Sequence, residues 1–260
     1  MKNKLLSIVL CLFIMFSAGC GNKKENTDAL DTIIQRDKII VGVKFDTKPF
    51  GYINEKQELV GYDIDLAKYI AKSILGSENK VEFRQVTPSN RILAINSGEV
   101  DMVIATMTIT PQRKAIINFS QPYYIAGQAI LVPKNSTINS ISDLNGKKVI
   151  IIFGSTSEKN LRLMAPNASI IGFKTYTSGY SALKQGRADA ITSDDSILLG
   201  FAMADESVKL LPKRYTKEPY GIGFKNDLNS LKLEERVNAI LNDMQNNGEL
   251  KKLKAKWIKY

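Results

Sequence analysis

Apolar strands and amphipathic helices alternate along most of this chain. Residues 39–43 form a run of Ile and Val around one glycine, which predicts a buried strand. From Ile64 to Ile74 the apolar residues recur at helical spacing, which predicts a helix over 63–75. Similar patterns predict strands over 81–86, 102–105, 149–153, 170–173, 190–193 and 222–224, and helices over 91–97, 157–164, 231–245 and 250–259. The alternation is typical of an α/β protein.

The strand and helix units fall into two sets. The second set begins near residue 129, and the C-terminal segment then returns to a strand and two helices. We interpret this order as two lobes, with chain crossings near 123–127 and 218–221. Gly127 and Gly221 lie at these crossings and are expected to permit changes of backbone angle. The predicted boundaries are 38–125 with 218–260 for lobe 1, and 126–217 for lobe 2.

The last predicted helix has one apolar face and several lysines. Leu250, Leu253 and Trp257 share the apolar face. We expect this face to dock on lobe 1, and contact with a membrane surface is the alternative.

The N-terminus has the pattern of an export signal. Lys2 and Lys4 precede an apolar run that is too short to span a membrane comfortably, and small residues then lead to Cys20. This predicts a lipoprotein signal peptide over 1–19, lipid on the Cys20 sulfur, and a lipid-anchored tether over 20–37. Ser17 stands where such signals usually have leucine, so secretion without a lipid stays open. The membrane contact predicted here is the lipid anchor.

Composition excludes several classes of chemistry. The chain has no histidine, which excludes a Ser-His-Asp triad and histidine-ligated zinc. Of its 2 cysteines, Cys11 lies in the signal and Cys20 is the predicted anchor, so we expect no disulfide, metal site or cofactor. The net charge of +10 favours anionic ligands or anionic surfaces. An exported protein is not expected to meet nucleic acid.

The segment ATMTITPQRKAIINFSQPYY contains the parts of a carboxylate site. Thr108 and Thr110 supply hydroxyls, and Pro111 suits the first turn of a helix. The start of a helix offers free backbone N–H groups to an anion. Arg113 adds a guanidinium that binds a carboxylate through two parallel hydrogen bonds. The alternative is a plain strand, turn and helix with a surface arginine.

Seven motifs, in one order and at one spacing, resemble the family 3 extracellular solute-binding proteins, the amino-acid receptors of ABC importers. Besides the segment just described, the motifs are GVKFDTKPFGY, GYDIDLAKYIAK, SGEVDM, GSTSEKN, GRADAITSDDSILLG and KEPYGIGFK. The resemblance covers nearly the whole mature chain. It implies a type II periplasmic-binding-protein fold with a two-strand hinge. It also implies a monomer on the outer face of the membrane, with a free amino acid and a permease as partners.

The resemblance also implies roles for individual residues. Arg113 and Thr108 would bind the ligand carboxylate, and Thr156 would meet the same carboxylate from the other lobe. Asp194 would bind the ammonium group, helped by the backbone carbonyl of Thr106. The alternative for Asp194 is a helix N-cap, although Asp195 could fill that position.

Side-chain specificity is predicted from Arg91 and Lys44. A second carboxylate on the ligand needs a second cation in a cleft of low dielectric, so these residues favour glutamate or aspartate. Glutamine and cysteine remain alternatives, and so does a surface ion pair for Arg91. Phe50 is predicted to pack on the aliphatic part of the ligand.

The alternatives from other functional classes are an enzyme and a surface adhesin. A cyclohexadienyl dehydratase-like enzyme needs a general acid in the cleft, and nothing in the spacing of Glu82 or Glu99 supports one. We therefore expect no enzymatic activity. A role as a surface adhesin also stays open.

Overall fold

Strands buried on both faces form the centre of two separate sheets. The computed structural model describes residues 28–258. In chain order the strands are β1 (Ile39–Val43), β2 (Asp46–Thr47), β3 (Gly51–Ile53), β4 (Leu59–Val60), β5 (Val81–Gln85), β6 (Met102–Val103), β7 (Ile117–Phe119), β8 (Tyr124–Ala126), β9 (Gln128–Pro133), β10 (Lys148–Ile152), β11 (Ser169–Phe173), β12 (Ala190–Asp194), β13 (Val208–Leu210), β14 (Glu218–Tyr220) and β15 (Gly223–Lys225).

Helices pack against these sheets and complete the α/β layers. In chain order they are α1 (Ala29–Arg36), α2 (Tyr62–Leu75), α3 (Arg91–Ser97), α4 (Pro111–Lys114), α5 (Ser157–Met164), α6 (Tyr176–Lys184), α7 (Asp195–Ala204), α8 (Leu231–Asn246) and α9 (Glu249–Trp257), with short 3-10 helices at Ser142–Leu144 and Leu228–Ser230. Most predicted elements occur within one or two residues of their predicted bounds.

Each sheet belongs to one lobe, as the sequence predicted. The sheet of lobe 1 has the order β5–β1–β6–β15–β7, and β1 runs parallel to both of its neighbours. The sheet of lobe 2 has the order β11–β10–β12–β9–β13, with β10 parallel to both neighbours. The carboxyl ends of parallel strands meet at one edge of such a sheet, where α/β proteins place their ligands.

Two strands join the lobes and confirm the predicted two-strand hinge. β8 and β14 pair in antiparallel fashion, with Tyr124 opposite Tyr220. Gly127 and Gly221 beside them do not have positive φ angles. A Cβ atom on Gly127 would lie 2.6 Å from the Thr216 carbonyl oxygen, so close packing requires this glycine.

The predicted tether is wrong for its last part, because residues 29–36 form α1. Asp28 caps this helix, and its Oδ1 accepts a hydrogen bond of 2.9 Å from the Leu30 N–H. Ile33 is completely buried, and α1 contacts α8. The predicted signal peptide, Cys20 and the first part of the tether lie outside the described residues.

The C-terminal helix α9 docks on lobe 1 through its apolar face, as predicted. Leu250 is buried, and Leu253 and Trp257 pack against the core. The Trp257 indole N–H donates a hydrogen bond of 2.8 Å to the Asp65 Oδ2 atom on α2. Its ring meets the Tyr52 ring edge-on, at 6.3 Å between centroids.

The small sheet β2–β3–β4 was not predicted from the sequence. It fills the connection between β1 and α2, and it ends at Gly61, whose φ angle is +138°. A Cβ atom on Gly61 would lie 2.1 Å from the Phe50 carbonyl oxygen. The close approach of the two backbones therefore requires glycine at this position.

We expect Gly61→Ala to lower the free energy of unfolding by about 3 kcal/mol or more, because strain and a backbone clash add together. Gly76→Ala is the control, since Gly76 also has a positive φ angle but has open space around its Cα. The control should cost only about 1–2 kcal/mol. Denaturant unfolding measures both changes, and equal losses would contradict the clash.

Candidate functional site

The two lobes meet at the carboxyl ends of their central strands. The Arg113 Nη2 atom of lobe 1 donates a hydrogen bond of 2.8 Å to the Gly154 carbonyl oxygen of lobe 2. The Tyr176 N–H of lobe 2 donates to the Asp46 Oδ2 atom of lobe 1 at 3.1 Å. Arg113 and Tyr176 are buried at this junction, so the charge of Arg113 acts through a medium of low dielectric.

Arg113 is held at the junction by α4. Pro111 occupies the first turn of this helix, as predicted, and Thr110 caps it by accepting a hydrogen bond of 3.2 Å from the Arg113 N–H. The Arg113 Nη1 atom donates to the Thr108 carbonyl oxygen at 2.7 Å. These bonds and the one to Gly154 orient the guanidinium, which has five N–H donors in all.

Among the residues that the structure describes, no carboxylate is in direct contact with the charge of Arg113. Its guanidinium donates hydrogen bonds to the carbonyl oxygens of Thr108 and Gly154. Burial lowers its pKa, and the charges of Asp194 and Glu218 oppose that change. Since arginine keeps its proton in proteins, the site contains a fixed cation with donors left for an anion.

Asp194 lies at the end of β12, in the N-cap position of α7, but its side chain does not cap the helix. Its Oδ2 atom accepts a hydrogen bond of 2.5 Å from the Tyr220 hydroxyl. The neighbouring Asp195 is the first residue of α7, and its Oδ1 atom accepts a hydrogen bond of 2.7 Å from the Ser196 N–H. The Asp194 side chain therefore does not serve as the helix N-cap that was the alternative role for this residue.

Burial and the Glu218 carboxylate raise the pKa of Asp194 to about 6, and the hydrogen bond from Tyr220 works in the opposite direction. A carboxylate whose pKa is raised in this way gains from any cation that approaches it. Asp194 can therefore bind an ammonium group strongly when it is ionised.

Two more cations lie beside this pair. Lys44 is 1% exposed, and its Nζ lies 4.3 Å from the centre of the Tyr176 ring. Burial and repulsion by Arg91 lower the pKa of Lys44 to about 7. Arg91 is 2% exposed, and its Nη1 donates to the Ala105 carbonyl oxygen at 2.6 Å. Burial and repulsion by Arg113 lower the pKa of Arg91 to about 9.

Neither of these two cations is in direct contact with an acidic side chain of residues 28–258. Within the described residues the Lys44 Nζ and the Arg91 Nε atoms have no hydrogen-bond partner, although both are buried. The surface ion pair considered for Arg91 is therefore wrong. Buried donors of this kind favour an acceptor group strongly, because an unpaired buried donor costs about 1–3 kcal/mol.

Two of the three threonines that precede α4, Thr106 and Thr108, line the same junction. Thr106 and Thr108 are both buried, and Thr108 bridges to Tyr220 of the crossing strand. Thr106 has a φ angle of +46°, which is uncommon for a residue other than glycine. The Thr106 hydroxyl is buried and has no hydrogen-bond partner among the described residues.

The remaining predicted contacts, Thr156 and Phe50, face the crossing strands. The Thr156 hydroxyl donates a hydrogen bond of 3.1 Å to the Glu218 Oε2 atom. Phe50 is completely buried and packs edge-on against the Tyr124 and Tyr220 rings, at 5.3 and 5.6 Å between centroids. Phe50 therefore supports Tyr220, the residue that holds Asp194.

Sequence reasoning missed Tyr176, Glu218, Tyr220 and Asp63 at this junction. Glu218 and Tyr220 lie within the quoted motif KEPYGIGFK, which was a usable signal. Tyr176 begins α6, and its sequence context gave no sign that its ring would lie under Lys44. Asp63 forms a hydrogen bond of 3.1 Å with the Thr106 N–H, across 43 positions of sequence.

The described residues show no sign of a metal centre or a membrane span. Between residues 28 and 258, no three His, Cys, Asp or Glu side chains are grouped so that they could hold a metal ion. In the same part of the chain, no helix has both the length and the apolar character needed to cross a membrane.

Comparison with known proteins identifies the family. The model of bacterial extracellular solute-binding proteins, family 3, matches residues 39–260. The chain is 42% identical to the ABC transporter glutamine-binding protein GlnH of Bacillus subtilis (strain 168), over 98% of this chain and 96% of that protein. It is 31% identical to the glutamate-binding protein GluB of Corynebacterium efficiens, over 90% of this chain and 83% of that protein.

A solved structure confirms the fold. The crystal structure of a cysteine-binding protein from Campylobacter jejuni matches with a TM-score of 0.85 and 31% identity. The match covers 89% of this chain and 93% of that one.

Proposed function

Since the chain belongs to the bacterial extracellular solute-binding proteins, family 3, we propose that it is the exported receptor that binds a free amino acid for an ABC importer. One observation carries the proposal. Arg113 and Asp194, a cation and an anion on opposite lobes, are both buried at the junction and make no ion pair with each other. They match the carboxylate and the ammonium group that every free amino acid presents.

Binding would act by favouring contact between the lobes. A ligand that touches Arg113 on one lobe and Asp194 on the other interacts better with the closed arrangement than with an open one. The hydrogen bond between Arg113 and the Gly154 carbonyl oxygen already links the lobes and would support closure. A permease that recognises both lobes together would then bind only the receptor that carries a ligand.

The side chain of the ligand would end in an oxygen acceptor, and we propose glutamine or glutamate. The unpaired donors of Lys44 and Arg91 support an acceptor at this end of the site. The preference for glutamate or aspartate that the sequence suggested is not confirmed, because the 42% identical relative is named for glutamine. Glutamine and glutamate differ in the charge of the side chain, which is neutral in glutamine and negative in glutamate.

The organisation around this site is proposed in the same way. Thr108, Thr106 and Thr156 would complete the contacts to the amino-acid backbone, and Phe50 would act through Tyr220. Lobe 1 would comprise 38–125 and 218–260, extended by α1, and lobe 2 would comprise 126–217. A lipid on Cys20 would hold a monomer at the outer face of the membrane.

We expect Arg113→Ala to weaken amino-acid binding by about 2–5 kcal/mol, because the variant leaves a buried carboxylate without its partner. Calorimetric titration of ligand-stripped protein with glutamine and glutamate measures the loss. Arg162→Ala is the control, since Arg162 is exposed on α5 and pairs only with Glu158. Binding within about threefold of wild type would reject the assignment of Arg113.

Affinity should fall as the pH drops below about 6, by up to tenfold for each pH unit. The pKa of Asp194 is raised to about 6, so the free site takes up a proton there, and an ammonium group must displace it. Binding constants measured between about pH 4.5 and 7.5 test this dependence. Asp194→Asn should bind weakly at every pH, and an unchanged slope in that variant would contradict the role of Asp194.

Lys44 should separate glutamate from glutamine. Because the pKa of Lys44 is about 7, a bound carboxylate would draw a proton onto its amine, and glutamate affinity should fall as the pH rises from about 7 to 8.5. Glutamine carries no such charge, and its affinity should change much less. Isothermal titration of both ligands measures the difference, and Lys44→Met should remove it. Equal slopes for the two ligands would exclude direct contact with Lys44.

A further inference from the structure

Asp63 is a buried carboxylate that the proposed binding mechanism does not use. It lies in the first turn of α2 and has no exposed surface. Its Oδ2 atom accepts a hydrogen bond of 3.1 Å from the Thr106 N–H, in the loop that carries the candidate carboxylate site. Burial of a carboxylate is costly, so a specific interaction has to offset that cost.

The peptide that Asp63 contacts has an unusual conformation. Thr106 is β-branched, yet its φ angle is +46°, a value that glycine adopts far more readily. Such a conformation persists only where the surroundings impose it. Asp63 holds the N–H side of this residue, and the Arg91 Nη1 atom lies 3.3 Å from its carbonyl oxygen.

We propose that Asp63 is a positioning residue of the ligand site. Its carboxylate holds the Thr106 backbone in the left-handed region, and this orients the Thr106 carbonyl beside Arg91. The inference rests on the proposed function, because Thr106 matters only if the junction binds a ligand.

The charged and titratable groups around Asp63 agree with this role. Lys44 follows β1, Arg91 begins α3 and Tyr123 precedes β8, while Tyr62 lies on the same helix as Asp63. Burial raises the pKa of Asp63 to about 7, and Tyr123, Lys44, the Thr106 N–H and Arg91 oppose that rise. The carboxylate is therefore ionised above neutral pH, where it accepts most strongly from an N–H group.

Asp65 provides a matched control on the same helix turn. Its Oδ2 atom accepts hydrogen bonds from the Lys256 ammonium at 2.6 Å and from the Trp257 indole at 2.8 Å. Asp65 therefore ties α9 to α2 and makes no contact with the Thr106 loop. Asp65→Ala removes a half-buried carboxylate from the same helix turn without touching the site.

The experiment compares dissociation constants for glutamine and glutamate at about pH 8, where Asp63 is ionised. We expect Asp63→Ala to weaken binding at least tenfold, and Asp63→Asn, which keeps an acceptor oxygen, to stay within about threefold of wild type. Asp65→Ala should also stay within about threefold while melting at a lower temperature. If Asp63→Ala does not fold, Asp63→Ser replaces it, because the serine side chain is too short to reach the Thr106 N–H.

Thr106→Gly identifies the mechanism. Glycine adopts a positive φ angle without help, so Asp63→Ala should cost less than about threefold when made in the Thr106→Gly background. A purely structural or electrostatic role of Asp63 would give the same loss in both backgrounds, and that result would overturn the inference. Equal losses for Asp63→Ala and Asp63→Asn would overturn it too.

The outcome for wild type separates this inference from the function beneath it. If wild type binds an amino acid and Asp63→Ala binds it equally well, only the positioning role fails. If wild type binds no amino acid at all, the proposed function fails and the positioning role fails with it.

Discussion

The structure is governed by charges that are buried where two sheets face each other. Arg113, Arg91 and Lys44 approach from one lobe and Asp194 from the other, and all four are withdrawn from water. In the part of the chain that the structure describes, none of them is in direct contact with an opposite charge. They are held instead by carbonyl oxygens, a tyrosine hydroxyl and an aromatic ring. Interactions of this kind orient a charge while leaving it able to attract another group.

The crossing strand β14 contacts several of the polar groups at the junction of the two lobes. Tyr220 holds Asp194, while Glu218 accepts hydrogen bonds from Thr156, Asn160 and Thr216. Both residues belong to β14, one of the two strands that connect the lobes. A change in this connection would therefore alter the junction directly, since β14 also supplies contacts to the groups buried there.

Local signals made the fold and the ends of the site predictable. Pro111 and Thr110 marked the short helix that carries Arg113. Asp194 directly follows the strand predicted over 190–193, which placed it at the carboxyl end of a sheet strand. The role of Asp63 was not predictable, because it depends on a contact with Thr106 across 43 positions. The tether was assigned wrongly because the polar residues near Asp28 do not indicate a helix. The helix α1 is stabilised by packing against α8, which the local sequence does not show.

The position of Trp257 also gives the protein an intrinsic fluorescent probe near the junction of the lobes. It is the only tryptophan among the 260 residues, and its indole is fixed between Asp65 on α2 and the ring of Tyr52. The Trp257 ring borders a cavity of about 380 Å³. Leu199 and Met203 of α7, in the other lobe, also line this cavity. Movement of the lobes would change how much water surrounds the indole, and with it the colour and intensity of its emission. Intrinsic fluorescence of the unlabelled protein would therefore report the proposed closure of the lobes.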